Sequence, residues 1–348
     1  MESIAKIDPN FNVSEAFGRE DVLLRSCREK PFSVHGLLDD GTHFFRMPHE
    51  VTSTVSEGVG YLAKHTAGGR VRFRTDSPFV AIRVISKGLG RMAHFAFAGS
   101  GGVDMYADGV YVKTFIPPLD KSNYSGIFDF GKRRMREILL ELPLYSLLTD
   151  LEIGLAPDAV TEAPTPYRNP VPAVFYGSSI TQGGCASRPG SCYQAILSRR
   201  FDLDYVNLGF SGNAKGEPTM ADYIAGLTMS MFFLDYDHNA PSLEHLAATH
   251  EPFFLRVREA HPTTPIIIMS RPKAIRSAEE EARLGVIRRT YENALARGDK
   301  NVYFVDGDAL TAVCGNEGTV DNCHPTDLGF FSMAQALIGL IEREGLLK

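Results

Sequence analysis

Val174-Phe175-Tyr176-Gly177-Ser178-Ser179-Ile180-Thr181-Gln182-Gly183 decides how the rest of the chain is read. It opens as an apolar run long enough for one buried strand. It then breaks at a glycine, presents two serines and enters a polar turn, with a helix-like segment from Ser191 to Phe201 beyond it. A serine at a strand end, just before a helix, has its hydroxyl exposed by the turn and backbone N–H groups beside it to receive an oxyanion. Gly-Ser-Ser by itself is more often an ordinary turn, so the surrounding chain must decide.

Downstream, strand and helix patterns alternate. Short apolar strands are expected at Ala173–Tyr176, Tyr205–Leu208, Met229–Leu234, Pro265–Met269 and Val302–Val305. Helices are expected at Leu243–Ala260, Ala278–Ala296 and Leu328–Glu344. Repeated βα units predict a parallel, doubly wound sheet covered on both faces, with ligands at the carboxyl ends of the strands. Polar residues and glycines gather there: Ser178 and Ser179 after the first strand, Gly209-Phe210-Ser211-Gly212-Asn213 after the second, Asp235 to Asn239 after the third, Ser270-Arg271 after the fourth, and Asp321-Asn322-Cys323-His324-Pro325 after the fifth and its loop.

Upstream, residues from about Phe32 to Leu155 read as short strands. They include Val71–Thr75, Phe79–Ile85, Met92–Ala98, a Val103–Phe115 hairpin turning at Ala107-Asp108-Gly109, Arg136–Leu142 and Leu151–Leu155. This predicts an all-β sandwich or jelly roll over residues 1–156. Such a module either binds carbohydrate, with Tyr106, Tyr111 and Tyr124 as exposed stacking candidates, or packs on the second half and shapes one wall of its cleft; the latter is favoured. Residues 157–172 hold five of the chain's prolines and are expected to link the halves as an extended segment, leaving 173–348 as the catalytic domain.

With 348 residues, 44% of them hydrophobic, the chain can bury two cores. A net charge of −6 disfavours a nucleic-acid or anionic-membrane partner. No apolar run approaches the roughly 20 residues of a membrane span, and the first residues do not read as a secretory signal. Five cysteines without such a signal are expected to be reduced thiols of a cytoplasmic protein. Cys185, Cys192 and Cys323 fall near the polar edge, but no C-x-x-C pair exists, so small packed thiols are expected and no metal or other cofactor.

A spacing of three lets the Asp321 carboxylate accept from Nδ1–H of His324, leaving Nε2 to take a serine proton. Taken alone, the pair reads more simply as a helix cap with an incidental histidine. With a serine at a strand end in a βα fold, the catalytic reading prevails. Gly212, Asn239 and the backbone N–H of Ser179 are the candidate oxyanion donors. Arg271 could meet an anionic substrate, although a surface ion pair is its more ordinary use.

Gly-Ser-Ser-Ile-Thr-x-Gly, Asn-Leu-Gly-Phe-Ser-Gly-Asn, Asp-Tyr-Asp-His-Asn and Asp-x-x-His-Pro, in that order, resemble the four blocks of the SGNH (GDSL-type) hydrolases. Gly102-Val103-Asp104-Met105-Tyr106 resembles the Gly-x-Asp-Leu-Tyr signature of a small β-domain that precedes some of them. The resemblance implies a flavodoxin-like three-layer α/β/α domain and an esterase working through an acyl-serine. By position it implies Ser179 as nucleophile, Asp321 and His324 as its partners, and Gly212 and Asn239 as oxyanion donors. Ser178 stands where the family usually has Asp, which leaves open which serine attacks. The third block lacks Gly-x-Asn-Asp, so Asp237 and His238 compete with Asn239 for the cleft, and Ser178, Arg271 and His238 remain candidates for substrate contact.

The leading expectation is a serine esterase that removes small acyl groups, acetyl first among them, from a carbohydrate or other small-molecule ester. A lipase or thioesterase for longer chains and a glycan-binding protein without activity are the alternatives.

Overall fold

The computed structural model describes residues 17–347. In the second half, five strands run parallel: Asn169–Gly177, Leu203–Gly209, Met231–Asp235, Ile266–Met269 and Val302–Val305, here the first to the fifth. Their spatial order is second, first, third, fourth, fifth. Alternate residues of each strand enter opposite cores, because strand side chains have a period of two. Phe175 and Phe233 meet Tyr193, Leu197, Phe330 and Met333 from helices Tyr193–Phe201 and Asp327–Glu344 on one face. Val174, Tyr176 and Phe232 meet Met220, Phe253 and Ile287 from helices Pro218–Ala225, Leu243–Ala260 and Ala278–Ala296 on the other. The result is three layers, helix–sheet–helix. The order reverses around the first strand, so a crevice opens between the carboxyl ends of the first and third strands, where such sheets hold their ligands.

Among the described residues, the first half contains two larger antiparallel sheets and a two-stranded one, Leu38–Asp39 with Phe44–Phe45. Of the larger two, one joins Leu23–Ser26, Ser146–Leu155, Phe79–Leu89 and Tyr124–Asp129; the other joins Thr161–Glu162, Arg70–Thr75, Arg136–Glu141, Val103–Ala107 and Val110–Phe115, with Ser33–His35 also on Arg70–Thr75. Val71, Phe73, Met105, Ile138 and Leu140 from the second sheet pack on Val80, Ile82, Leu151 and Ile153 from the first.

Three expectations are corrected. Tyr106 and Tyr124 are buried, not exposed; the Tyr124 hydroxyl donates to the Gly101 carbonyl at 2.8 Å. Only Tyr111 of the three stacking candidates lies on the surface. Met92–Ala98 is not a strand: Met92 and Phe95 form an isolated bridge, and a short helix, Phe97–Gly101, follows. Its turn presses Gly99 so close to the Ala186 carbonyl that a Cβ there would sit 1.9 Å from the oxygen. The contact between halves, not the local apolar run, sets the backbone.

Residues 157–172 pack along the β-region. Thr161–Glu162 adds an edge strand, Tyr167 is buried under the Arg72 guanidinium, and the first parallel strand already begins at Asn169. Buried charged groups cross between the halves. Arg46, 2% exposed, donates to the carbonyls of Leu62, His65, Asn207 and Gly209. Arg70 meets Asp204 and the Tyr205 carbonyl, and Glu141 meets Arg199 at 3.2 Å. All five cysteines are free. No helix among the described residues is long and apolar enough to cross a membrane.

Candidate active site

The first strand ends at Gly177, and a single helical turn, Ser179–Gln182, starts at once. This separates the two serines. Ser178 is fully buried and caps the turn, its Oγ accepting from the Ile180 N–H at 3.1 Å while its own N–H donates to the Asp235 carbonyl. It is therefore turned away from any substrate, contrary to the expectation that it touches one. Ser179 faces the crevice: its Oγ lies 2.9 Å from Nε2 of His324.

The other side of this contact is built by a tight turn after the fifth strand. One Asp321 oxygen accepts from the N–H groups of Cys323 (3.0 Å) and His324 (2.7 Å), and the other lies 2.7 Å from Nδ1 of the His324 ring. Asn322 takes a left-handed conformation (φ 64°) to close the turn, as Asn tolerates better than most residues. Lys273 Nζ steadies it through the Asn322 carbonyl at 2.8 Å. Burial pushes the Asp321 carboxyl up, but the backbone and imidazole donors of His324 outweigh it and hold the group below its ordinary value. A carboxylate ionised in this position fixes the ring so that Nε2 can receive a proton.

Three donors lie at neighbouring strand ends. Ser179 N–H is at the first position of its helical turn, where no intrahelical acceptor exists. Gly212, at φ 67° in the loop after the second strand, has open space where a Cβ would stand. Neither N–H has an acceptor among the described residues. Asn239 sits in the 3-10 turn Asp237–Asn239, and its amide donates to the Phe210 carbonyl at 3.1 Å, tying it to the Gly212 loop and leaving a second N–H.

Residues to which the sequence assigned no role hold this arrangement from below. Gln182 accepts from Ser211 N–H at 3.0 Å and approaches His65 Nδ1 at 3.1 Å, so the first half braces the loop that carries Gly212. Asp235 is fully buried beside the Ser179–Gln182 turn, with Thr181 Oγ1 donating to it at 3.1 Å. Burial pushes its carboxyl up to about 7; His238 and the Thr181 hydroxyl oppose this, and Asp237 adds to it. Tyr145 and Phe95 of the first half join the core beside Cys185 and Ile180. No periodicity marks any of these side chains; only the fold brings them there.

Ser179 is not among the residues that surround Arg271 and His238. These two line a cavity of about 460 Å³ with Asp237, Ser270, Lys273 and Asn322. Arg271 is paired with Glu280 at 2.8 Å, and His238 Nδ1 with Asp237 at 2.8 Å. Metal-ligating side chains converge in two groups here, Asp321–Cys323–His324 and Asp235–Asp237–His238. Each carboxylate and imidazole in them has a hydrogen-bond partner through one atom, while Asp235 Oδ1 and His238 Nε2 are buried without one among the described residues.

A five-stranded parallel sheet in this order, with a serine, an imidazole and a carboxylate in line across its carboxyl edge, defines a three-layer α/β ester hydrolase. The chain belongs to the GDSL-like Lipase/Acylhydrolase family, whose model matches residues 171–342; residues 26–161 match the N-terminus of SGNH-hydrolase-type esterases. A structure described as a GDSL-like lipase from Bacteroides ovatus ATCC 8483 is 30% identical, with TM-score 0.83 over 94% of this chain and 99% of that one. A salicylyl-acyltransferase from a tetracycline biosynthetic pathway is 23% identical, with TM-score 0.78 over 94% and 99%. An acetyl xylan esterase from the rumen bacterium Butyrivibrio proteoclasticus is 13% identical, with TM-score 0.59 over 94% and 100%. The last two share the fold. Among curated proteins, no relative matches the chain.

Proposed function

We propose that this protein is a serine esterase that removes small acyl groups, acetyl foremost, from a carbohydrate. The observation that carries the reading is the continuous chain of contacts from Ser179 Oγ through both nitrogens of His324 to Asp321. His324 takes the Ser179 proton as Oγ attacks the ester carbonyl. The N–H groups of Ser179 and Gly212 and the amide of Asn239 receive the oxyanion. The imidazolium, steadied by Asp321, returns the proton to the departing sugar oxygen, leaving acyl-Ser179. Water, deprotonated by His324, attacks this ester and releases the acid.

Two features support a carbohydrate alcohol. The side chains of His324 and Asp321 are 23% and 36% exposed, so the leaving-group side of the relay stands at the surface, where a bulky polyol can approach. A structural neighbour over 94% of the chain is an acetyl xylan esterase.

Ser179→Ala should lose nearly all turnover of p-nitrophenyl acetate while keeping its circular dichroism spectrum; undiminished turnover rejects the assignment. A series of p-nitrophenyl esters tests the acyl group. Rates should fall as the chain lengthens, because a small pocket rejects added methylenes; a rise with length would point to a lipase or thioesterase. Release of acetate from acetylated oligosaccharides tests the alcohol.

A further inference from the structure

A third group of ligand-type side chains joins the halves of the molecule at the site. His94 comes from the loop before the Phe97–Gly101 helix, Cys185 from the turn after Gly183-Gly184, and His324 from the C-terminal turn. One ligand atom from each lies within 4.8 Å of the others, and the rings of His94 and His324 are 5.8 Å apart between centroids. Two of the three have no other employment among the described residues. His94 is exposed and makes no hydrogen bond; Cys185 is a free, buried thiol without a hydrogen-bond partner. Cys185 also adopts φ 75°, a left-handed conformation that a side-chain-bearing residue rarely takes.

We propose that His94, Cys185 and His324 form a binding site for a thiophilic divalent cation, Zn²⁺ foremost, which stops turnover when occupied. Zn²⁺ holds imidazole nitrogen at about 2.0–2.1 Å and thiolate sulfur at about 2.3 Å, so tetrahedral ligand atoms stand roughly 3.5 Å apart. Closing from the present separations needs about 1 Å of side-chain movement, which the exposed His94 can supply; a water completes the shell. Two imidazoles and a thiolate suit zinc better than the hard cations magnesium and calcium. Burial, with Asp321 and Cys323 nearby, holds the Cys185 thiol up to about 12. The cation therefore displaces its proton to solvent as the S–metal bond forms. The relay uses both ring nitrogens of His324, so a metal bound at either one breaks the link to Ser179 or to Asp321. Inhibition rests on the esterase reading above; binding does not.

The test uses the full chain. Zn²⁺ is titrated by calorimetry into wild type and Ser179→Ala, and p-nitrophenyl acetate turnover is followed with Zn²⁺ and then with a chelator. One ion should bind per chain in both proteins, and turnover should fall with occupancy and return on chelation. His94→Ala and Cys185→Ser should each weaken binding about tenfold or more while keeping metal-free turnover. Co²⁺ in place of Zn²⁺ should show a thiolate charge-transfer absorption that Cys185→Ser abolishes. Equal inhibition of all three chains, or a cobalt spectrum without the thiolate band, overturns the site. His94→Ala, at an exposed position, keeps the test decisive if Cys185→Ser folds poorly. Binding that holds while Ser179→Ala still turns over would remove the esterase reading and leave the metal site standing.

Discussion

The Asp321 carboxylate closes its turn with one oxygen and holds the imidazole with the other. Asp321→Asn keeps the shape but replaces one acceptor with an N–H donor, so the ring no longer has a partner that favours the Nδ1–H tautomer. Steady-state kinetics should show kcat reduced by about 10³–10⁴-fold with little change in KM; a loss confined to KM would make Asp321 a substrate contact instead. Asp235 titrates in the opposite direction. Its folded value of about 7 lies above that of an exposed carboxyl, so between about pH 4 and pH 7 the folded state binds more protons than the unfolded one. This group's unfavourable contribution therefore grows as pH rises through that window. Asp235→Asn, which keeps the Thr181 contact without the charge, should gain stability relative to wild type as pH rises, by a few kcal/mol at pH 8 and by about nothing at pH 4. Melting temperatures of both proteins across pH 4–8 check this, and parallel curves would deny the buried charge.

The Val103–Ala107 strand shows how much one element carries between the halves. Its Asp104 is fully buried and accepts from Thr114 Oγ1 (2.6 Å), Arg188 Nη1 (2.8 Å) and the Gly190 N–H (2.8 Å), fastening the segment that leads into helix Tyr193–Phe201. The Gly-Val-Asp-Met-Tyr run is thus a structural clasp. Asp104→Ala removes the acceptor of the Gly190 N–H and the ion pair of Arg188, which keeps the Tyr106 hydroxyl, and should cost about 2–3 kcal/mol in a denaturant melt; a loss below about 1 kcal/mol would mean water replaces the carboxylate without penalty. At this same scale the sequence was readable in one half and less so in the other. The parallel strands are short buried runs followed by chemically distinct residues, so Ser179, Gly212, Asp321 and His324 stood out as candidates from local pattern, as did Asn239 in competition with Asp237 and His238. Tyr124–Asp129 was not expected as a strand. Its Gly126 weakens the local signal, and glycine is there because Phe115 packs where a Cβ would be, a contact that only the fold reveals. His94, His65 and Arg46 were equally invisible, since each reaches the other half through tertiary packing with no periodicity to announce it.

At the scale of the molecule, the two halves should unfold together. Arg46 is almost wholly buried with carbonyl acceptors only, and burial pushes its guanidinium down to about 9. Two of those carbonyls, Asn207 and Gly209, belong to the second strand of the parallel sheet and precede the Gly212 loop. Arg70 likewise ends on Asp204 and Tyr205. Neither half can therefore be exposed without stranding buried donors or acceptors of the other, each at a cost of about 1–3 kcal/mol and more where charge is involved. A urea melt should show one transition, with circular dichroism of the helices and tyrosine fluorescence from both halves coinciding. Arg46→Met, which keeps apolar volume but removes every donor, should lower the midpoint and loosen the Gly212 loop, so that kcat falls before global unfolding begins. Two resolved transitions in wild type, or a midpoint unmoved by Arg46→Met, would mean that the halves are stable apart and that the β-region only shelters the site.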